Sequence, residues 1–553
     1  MGAVEADLPE VRKARGAFFT PPNISEFIAL WAIRSSTDKV LEPSCGEASF
    51  LLPAGAHLRS LGAPDSPTLL FGHDIHAASV DAAHLALREA GLAAEIEVGD
   101  FFSRVPDEKF DVVVGNPPFV RYQAFAGASR TAGLEAALRQ GVRLTQLASS
   151  WAAFTVHASA FLKPEGRLGL VLPAELLSVN YAAQIREFLL RRFRTVRLVL
   201  FEKLVFPGVL EDVVLLLAEG SGGATHFEVY QAKDAEDLKA RAPSHWTGFT
   251  PRGSQKWTGA LLPSEAVKLY EEVFDSHEYE VMADWGDTYL GAVTGNNNYF
   301  ALTKDEVSRA GLLPSELDRI SPPGSRHLRG LTFSDHAWQA LADEGAKCYL
   351  FMPQGQPSEA AQRYIDKGRR AKVHLAYKCK VRDPWWRVPT TPRPDFLFAY
   401  MSHDRPRLVR NGAGVQLLNS LYGVRLHATR HALGEDLLAI ASLNSMTLLG
   451  AEVVGRAYGG GMLKHEPKEV DALPVPSEQV LRDVGDRLRL LSSQVGALLR
   501  KNDITPAVDV VDRVILKDHL GFSDEKILAL REARDTLLQR RMSRSKGDAS
   551  GQD

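Results

Sequence analysis

Through the first 220 residues short apolar runs alternate with helical patterns, and that alternation restricts the chain to βαβ units building a parallel sheet with helices on its faces. Predicted strands are Lys39–Glu42, Thr68–Asp74, Glu95–Gly99, Phe110–Gly115, Arg167–Leu172, Thr195–Phe201 and Asp212–Ala218. Predicted helices lie near Ile24–Arg34, Ala77–Ala90, Leu147–Phe161 and Ala182–Arg192, with a turn at Lys163-Pro164-Glu165-Gly166 before the fifth strand. No helix separates the last two strands, so they are expected to pair antiparallel at one sheet edge. Ligands of such sheets bind beyond the carboxyl ends of the strands.

Four of those strand ends carry chemistry. The first runs into Glu42-Pro43-Ser44-Cys45-Gly46-Glu47-Ala48, a tight loop before a helix start. With Gly46 as its one glycine it is not a G-x-G-x-x-G phosphate cradle, and the Glu42 carboxylate suits a cationic group instead. The second ends in Asp74, able to accept both hydroxyls of a ribose; the third leads to Asp100-Phe101, a carboxylate for an adenine amine with a ring beside it. An acid at a strand end is often only a helix cap, but three in succession make a pattern. The fourth strand ends in Asn116-Pro117-Pro118-Phe119. Asn offers a fixed carbonyl acceptor, the paired prolines stiffen the backbone, and the ring offers a stacking face. Such a tetrapeptide arises by chance in only about 2% of chains this long. It supplies what methylation of a planar exocyclic amine requires.

These segments together resemble the class I S-adenosylmethionine-dependent methyltransferases, and within them the gamma-ordered, TaqI-like DNA adenine-N6 group. Gly16-Ala17-Phe18-Phe19-Thr20-Pro21-Pro22 is similar to that group's motif ahead of the first strand, where the Thr touches the methionine end of the cofactor. The resemblance covers residues 11–220. It implies S-adenosyl-L-methionine held by Thr20, Glu42, Pro43, Gly46, Asp74, Asp100 and Phe101, and catalysis at Asn116, Pro117, Pro118 and Phe119. It also implies base contacts from Arg121, Tyr122 and Phe206, the last within Phe206-Pro207, whose ring packs on an extruded base. An adenine inside a duplex must be flipped out to reach such a site. Ala48 replaces a second Gly and Phe119 the commoner Tyr; the loop is expected to sit slightly differently and stacking to survive. Gln123–Arg143, rich in Ala, Gly and Arg, either orders over DNA or forms an ordinary surface helix and loop.

The implied fold class is α/β: a Rossmann-like seven-stranded sheet, then an irregular α+β domain and a helical C-terminal segment. Expected boundaries are 1–225 for the catalytic domain, 226–285 for a connector, 286–476 for DNA target recognition, 477–545 for the helical segment and 546–553 for a disordered tail. The net charge of −3 gives no global nucleic-acid signature, so any such signature must be local. The window Arg363–Arg393 supplies one: Arg369, Arg370, Lys372, Lys378, Lys380 and Arg382 are the expected DNA-binding cations, with Tyr377, Trp385 and Trp386 interleaved. A charge run that is only a solvated face is the alternative. Gly295–Phe300, Arg326–Leu331, Asp383–Arg387 and Gly459–Lys464 resemble pieces of target-recognition domains.

Three cysteines without a C-x-x-C pair argue against zinc and against a disulfide framework. His427-Ala-Thr-Arg-His431 lacks the Glu of H-E-x-x-H, so no metal is expected. The spacing within Pro106-Asp107-Glu108-Lys109 is wrong for a nuclease centre, and the methyltransferase motifs begin almost at once. No run approaches the ~18 apolar residues of a membrane span, and the acidic first ten residues are no signal peptide. The expected location is therefore the bacterial or archaeal cytoplasm, at the nucleoid. Expected partners are double-stranded DNA and a cognate restriction endonuclease. Left open are methylation of cytosine N4, RNA or a protein glutamine, and an inactive specificity protein.

Overall fold

A computed structural model describes residues 20–64, 68–202, 205–206, 213–240, 245–251, 256–389, 391–458 and 461–549. The chain divides into two compact units, Met1–Leu261 and Leu262–Asp553.

In the first unit the elements run α1 (Pro22–Ala32), β1 (Val40–Glu42), α2 (Leu51–Ser60), β2 (Leu70–Asp74), α3 (Ala77–Glu89), β3 (Ala94–Val98), β4 (Phe110–Gly115), α4 (Gly127–Arg139), α5 (Ser150–Ser159), β5 (Leu162–Pro173), α6 (Ala183–Arg192), β6 (Phe193–Phe201), β7 (Val213–Ser221), β8 (Phe227–Ala232) and β9 (Thr247–Phe249). They form one nine-stranded sheet in the order β3-β2-β1-β4-β5-β7-β6-β8-β9. Strands β3 to β5 pair parallel, while β7 runs antiparallel to both β5 and β6.

Central strands such as Val112–Val114 and Leu215–Leu217 are buried on both faces, which is why they read as unbroken apolar runs. One core cluster joins Phe101, Phe110, Trp151, Phe154 and Leu189. The other joins Ile28, Val40, Leu51, Val112 and Leu215.

Three expectations are corrected. The antiparallel pair β6/β7 is not at an edge: β7 sits between β5 and β6, and β8 and β9 extend the sheet beyond β6. Residues 226–285 are therefore not one connector. Phe227, Val229 and Trp257 enter the core of the first unit, whereas the helix Ser264–Asp275 falls in the second. The short apolar–polar alternation of β8 is only half-buried and is easily mistaken for a linker. Finally, Lys163-Pro164-Glu165-Gly166 does not precede β5 but bulges within it. Phe110 pairs with Leu162 and Val112 already with Arg167, so the intervening residues loop out of register. Gly16–Phe19, Pro207, Gly459, Gly460 and 550–553 lie outside the described residues.

The second unit is α+β. Its four-stranded antiparallel sheet takes the order Gly286–Leu290, Tyr422–Leu426, Phe396–Ala399, Arg407–Arg410, and smaller sheets accompany it. Long helices Glu478–Arg500, Ile504–Asp512 and Asp524–Ala549 close it. They are tied into the unit through buried charge. Asp512 accepts from the amide and hydroxyl of Ser445 and from Arg531, and Arg541 pairs with Glu452 at 2.8 Å. The segment 477–545 is thus packed into the second unit. Among the described residues no single helix is long and apolar enough to cross a membrane.

Candidate active site

The carboxyl ends of β1 to β4 lie side by side, and hydrogen bonds between their loops bring the predicted residues together. From β1, Glu42 is 1% exposed. Its carboxylate accepts the amides of Phe50, at 3.2 and 3.3 Å, and of Leu51, at 2.9 Å. It therefore caps the start of α2, where it meets the positive end of that helix. Burial holds Glu42 well above the usual carboxylate range, against the pull of the two amides.

Asp74 at the end of β2 fastens the β1 loop. One carboxylate oxygen accepts Gly46 N and the other His76 N, each at 2.9 Å. Gly46 lies at φ +51°, and a Cβ there would meet nothing within 4 Å, so the loop leaves open space beside its glycine. Ala48 lies in a left-handed turn at φ +69° despite its methyl group, a conformation that glycine adopts without that cost. Asp100 caps a short turn by accepting Phe102 N at 3.0 Å. Phe101 is buried against Phe154 and Phe161 and supports the site from inside the core.

Asn116 leaves β4 against the β1 loop. A Cβ on Gly115 would lie 3.7 Å from Pro43 and 3.8 Å from Glu42. Asn116 Nδ2 donates to Thr20 Oγ1 at 3.2 Å, which joins the segment ahead of α1 to the fourth strand end. Two serines then set the proline turn. Ser44 Oγ donates to the Asn116 carbonyl at 3.3 Å. Ser150 Oγ donates to the Pro118 carbonyl and accepts Val120 N at 2.9 Å, while Ser150 N donates to Val120 O at 3.0 Å. No donor among the described residues reaches the Pro117 carbonyl between them. Sequence reasoning missed both serines. The signal for Ser150 was a Ser-Ser pair opening an apolar helix, a pattern that ordinarily marks a cap alone. Behind Ser150, Trp151 Nε1 donates to the Tyr181 hydroxyl at 3.0 Å, and Tyr181 donates to Glu175 at 2.5 Å.

Phe119 is half-buried against both core clusters, one of which contains the 4%-exposed Phe206. Phe206 is buried within that cluster and shows little surface. Arg121 and Tyr122 are exposed. The 127–139 part of Gln123–Arg143 is a formed helix, α4, with Gly133, Ala136 and Ala137 buried and Arg130 tied to Tyr122, Phe125 and Gln146 carbonyls.

In the second unit Arg369 and Arg370 end the helix α7 (Glu359–Arg370), Lys372 follows it, and Lys378 and Lys380 lie on α8 (Tyr377–Lys380). All five are exposed. Arg382 departs from the expectation. Its guanidinium donates to the Val293 carbonyl, and to that of Thr294 at 2.8 Å, and burial lowers its pKa. Trp385 and Trp386 are buried in the core. His431 bonds Asp395 at 3.1 Å and His427 the Ala283 carbonyl at 3.1 Å. Among the described residues no cluster of three His, Cys, Asp or Glu could hold a metal.

A β3-β2-β1-β4-β5-β7-β6 order with an antiparallel β7, loops converging on Asn-Pro-Pro-Phe and a large second unit define a class I methyltransferase with an appended C-terminal domain. Residues 7–241 match the family profile described as N-6 DNA methylase. Residues 254–516 match that of the C-terminal domain of the type II methyltransferase M.Eco57I. The chain thus carries an adenine-N6 DNA methyltransferase domain followed by an M.Eco57I-type C-terminal domain. It is similar to the type II methyltransferase M.XamI of Xanthomonas campestris pv. amaranthicola, 24% identical over 84% of this chain and 85% of that protein. It is also similar to the type II methyltransferase M.AccI of Acinetobacter calcoaceticus, 20% identical over 84% and 85%. In fold it matches the type IIL restriction-modification enzyme MmeI, solved in complex with DNA, at a TM-score of 0.54 and 12% identity over 94% of this chain and 75% of that one.

Proposed function

We propose that this chain methylates adenine N6 at a specific site in double-stranded DNA, using S-adenosyl-L-methionine, as the modification enzyme of a type II restriction-modification system with a cognate endonuclease. The observation that carries this reading is the Asn116-Pro117-Pro118-Phe119 turn seated on the β1 loop. The cofactor fits the residues present: the open side of Gly46 leaves room for a ligand, Asp74 lies beside it for ribose hydroxyls, and Asp100 and Thr20 flank the same strand ends. When bound, S-adenosylmethionine supplies an electrophilic methyl group.

The protein's own task is orientation. Asn116 Oδ1 and the Pro117 carbonyl accept the two N–H groups of the adenine amine, which turns its lone pair toward the methyl donor and stabilises charge developing on nitrogen. Ser44 and Ser150 hold the neighbouring carbonyls, which supports that of Pro117 as the acceptor facing the base. Phe119 stacks on the flipped base and Phe206 supports another side of it. The exposed cations Arg369, Arg370, Lys372, Lys378 and Lys380 neutralise phosphates.

Incubation with tritiated S-adenosylmethionine and duplex DNA, followed by digestion to nucleosides, tests the assignment. Label is expected in N6-methyldeoxyadenosine, and label in N4-methyldeoxycytidine, in RNA, in protein or nowhere overturns it. Asn116→Ala should abolish that label while leaving cofactor affinity within a few fold.

A further inference from the structure

The segment joining α7 to the Trp385-Trp386 pair has an unusual surface. Between Arg369 and Arg382 there are six Lys or Arg and no Asp or Glu. Set among those cations are three large apolar side chains turned to solvent: Leu375 at 57% exposure, Tyr377 at 75% and Val381 at 67%. Lys378 Nζ lies 5.6 Å from the Tyr377 ring centroid. Exposure of this kind costs free energy, and elsewhere in this segment the apolar residues are buried: Val373, Cys379, Trp385 and Trp386 all enter the core.

The exposure is not looseness. Cys379 Sγ donates to the Thr294 carbonyl at 3.5 Å, and Arg382 grips the Val293 and Thr294 carbonyls. Gly295, at φ +85°, lets this contact form, since a Cβ there would stand 3.1 Å from both Cys379 Sγ and Lys378 Cβ. Buried Val373 and Cys379, with the half-buried Arg382, thus hold down a knuckle whose apolar side chains and cations between them are exposed.

Resting on the methyltransferase reading, we infer that this knuckle is a DNA contact in which the cations bind phosphates and Tyr377, flanked by Leu375 and Val381, lays its ring against bases in the groove. Charge selects the partner: an acid-free strip of cations fits a polyanion, and an aromatic ring beside it fits as a wedge at a base step opened from the groove, where the base π-face becomes reachable. Specific hydrogen-bond readout is not required of Tyr377, so its contribution is independent of salt, whereas each phosphate contact adds about 0.9 to the salt slope.

The test uses the full-length chain and a fluorescein-labelled 30-base-pair duplex, with affinity followed by anisotropy across a salt series. Tyr377→Ala should weaken binding roughly 5- to 100-fold with an unchanged salt slope, the range expected for loss of base stacking. Tyr377→Phe should stay within twofold of wild type, and Lys378→Ala/Lys380→Ala should flatten the slope by roughly 2. Melting temperatures of all variants should match, because these side chains are exposed. Tyr377→Ala binding within twofold of wild type overturns the inference, as does Tyr377→Phe binding as weakly as Tyr377→Ala, which would mean a hydroxyl contact. Tritium transfer by the unmodified chain is measured in parallel: methylation with an indifferent Tyr377 sinks the knuckle alone, and absence of methylation sinks the reading beneath it.

Discussion

Ser150→Ala removes one oxygen, and the structure sets what that costs. The hydroxyl is 98% buried with its residue and serves two backbone groups at once, the Pro118 carbonyl and Val120 N. Alanine leaves both without that partner, and an unsatisfied buried polar group costs about 1–3 kcal/mol, so the proline turn loses on the order of 2–6 kcal/mol of local stability. The bonds that hold the β1 loop, from Gly46 to Asp74 and from Leu51 to Glu42, do not involve Ser150. The cost should therefore fall on alignment of the amine and not on the cofactor. At about 1.4 kcal/mol per decade, kcat should drop at least ~30-fold, while cofactor Kd by calorimetry stays within twofold. Ser150→Thr, which keeps the hydroxyl, should recover much of the loss. A purely structural serine would instead lower the melting temperature by several degrees without separating kcat from Kd. A kcat within threefold of wild type, or a cofactor Kd rising in step with the loss of rate, would refute the assignment.

Three further outcomes follow from the same geometry. Asp74→Asn places an amide where two backbone N–H groups donate, so cofactor affinity measured by calorimetry should fall about tenfold or more; unchanged affinity would remove Asp74 from the binding set. Gly46→Ala meets no neighbour but strains a left-handed turn by about 1–2 kcal/mol, so melting should shift a few degrees while cofactor affinity drops by more than that strain accounts for. Burial lowers the His157 pKa from 6.5 to about 4. As a depressed histidine it contributes stability that is present above pH 6.5 and lost as pH falls toward 4. The advantage of wild type over His157→Gln should therefore shrink by up to about 3 kcal/mol between pH 7 and pH 4 in urea titrations, and a constant gap would contradict its neutral burial.

The first unit was legible because parallel strands buried on both faces must be continuously apolar: Phe110–Gly115 matches its strand at both ends, and β1 to β3 fall within two residues. The strand-end acids and the Asn-Pro-Pro-Phe turn were legible for the same reason, since their places in the fold follow from the strands. Long-range bonds were not. That Ser150 reaches Val120, or that Glu42 turns inward to cap α2, depends on three-dimensional packing with no periodic signature. β8 escaped notice because half-burial gives it a mixed composition. In the second unit the basic run was visible, yet its division into outward Lys378 and inward Arg382 depends on a loop almost ninety residues earlier.

The adjacency of β1 and β4 has a consequence for the gene. The half proposed to seat the methyl donor and the half proposed to grip the amine touch along one strand pair, while the link between β3 and β4 passes through the exposed Val105 turn. Nothing in that junction depends on which half is translated first. Enzymes with these halves encoded in reverse order could rebuild the same pocket, so evolution can shuffle such coding segments while the chemistry stays in place.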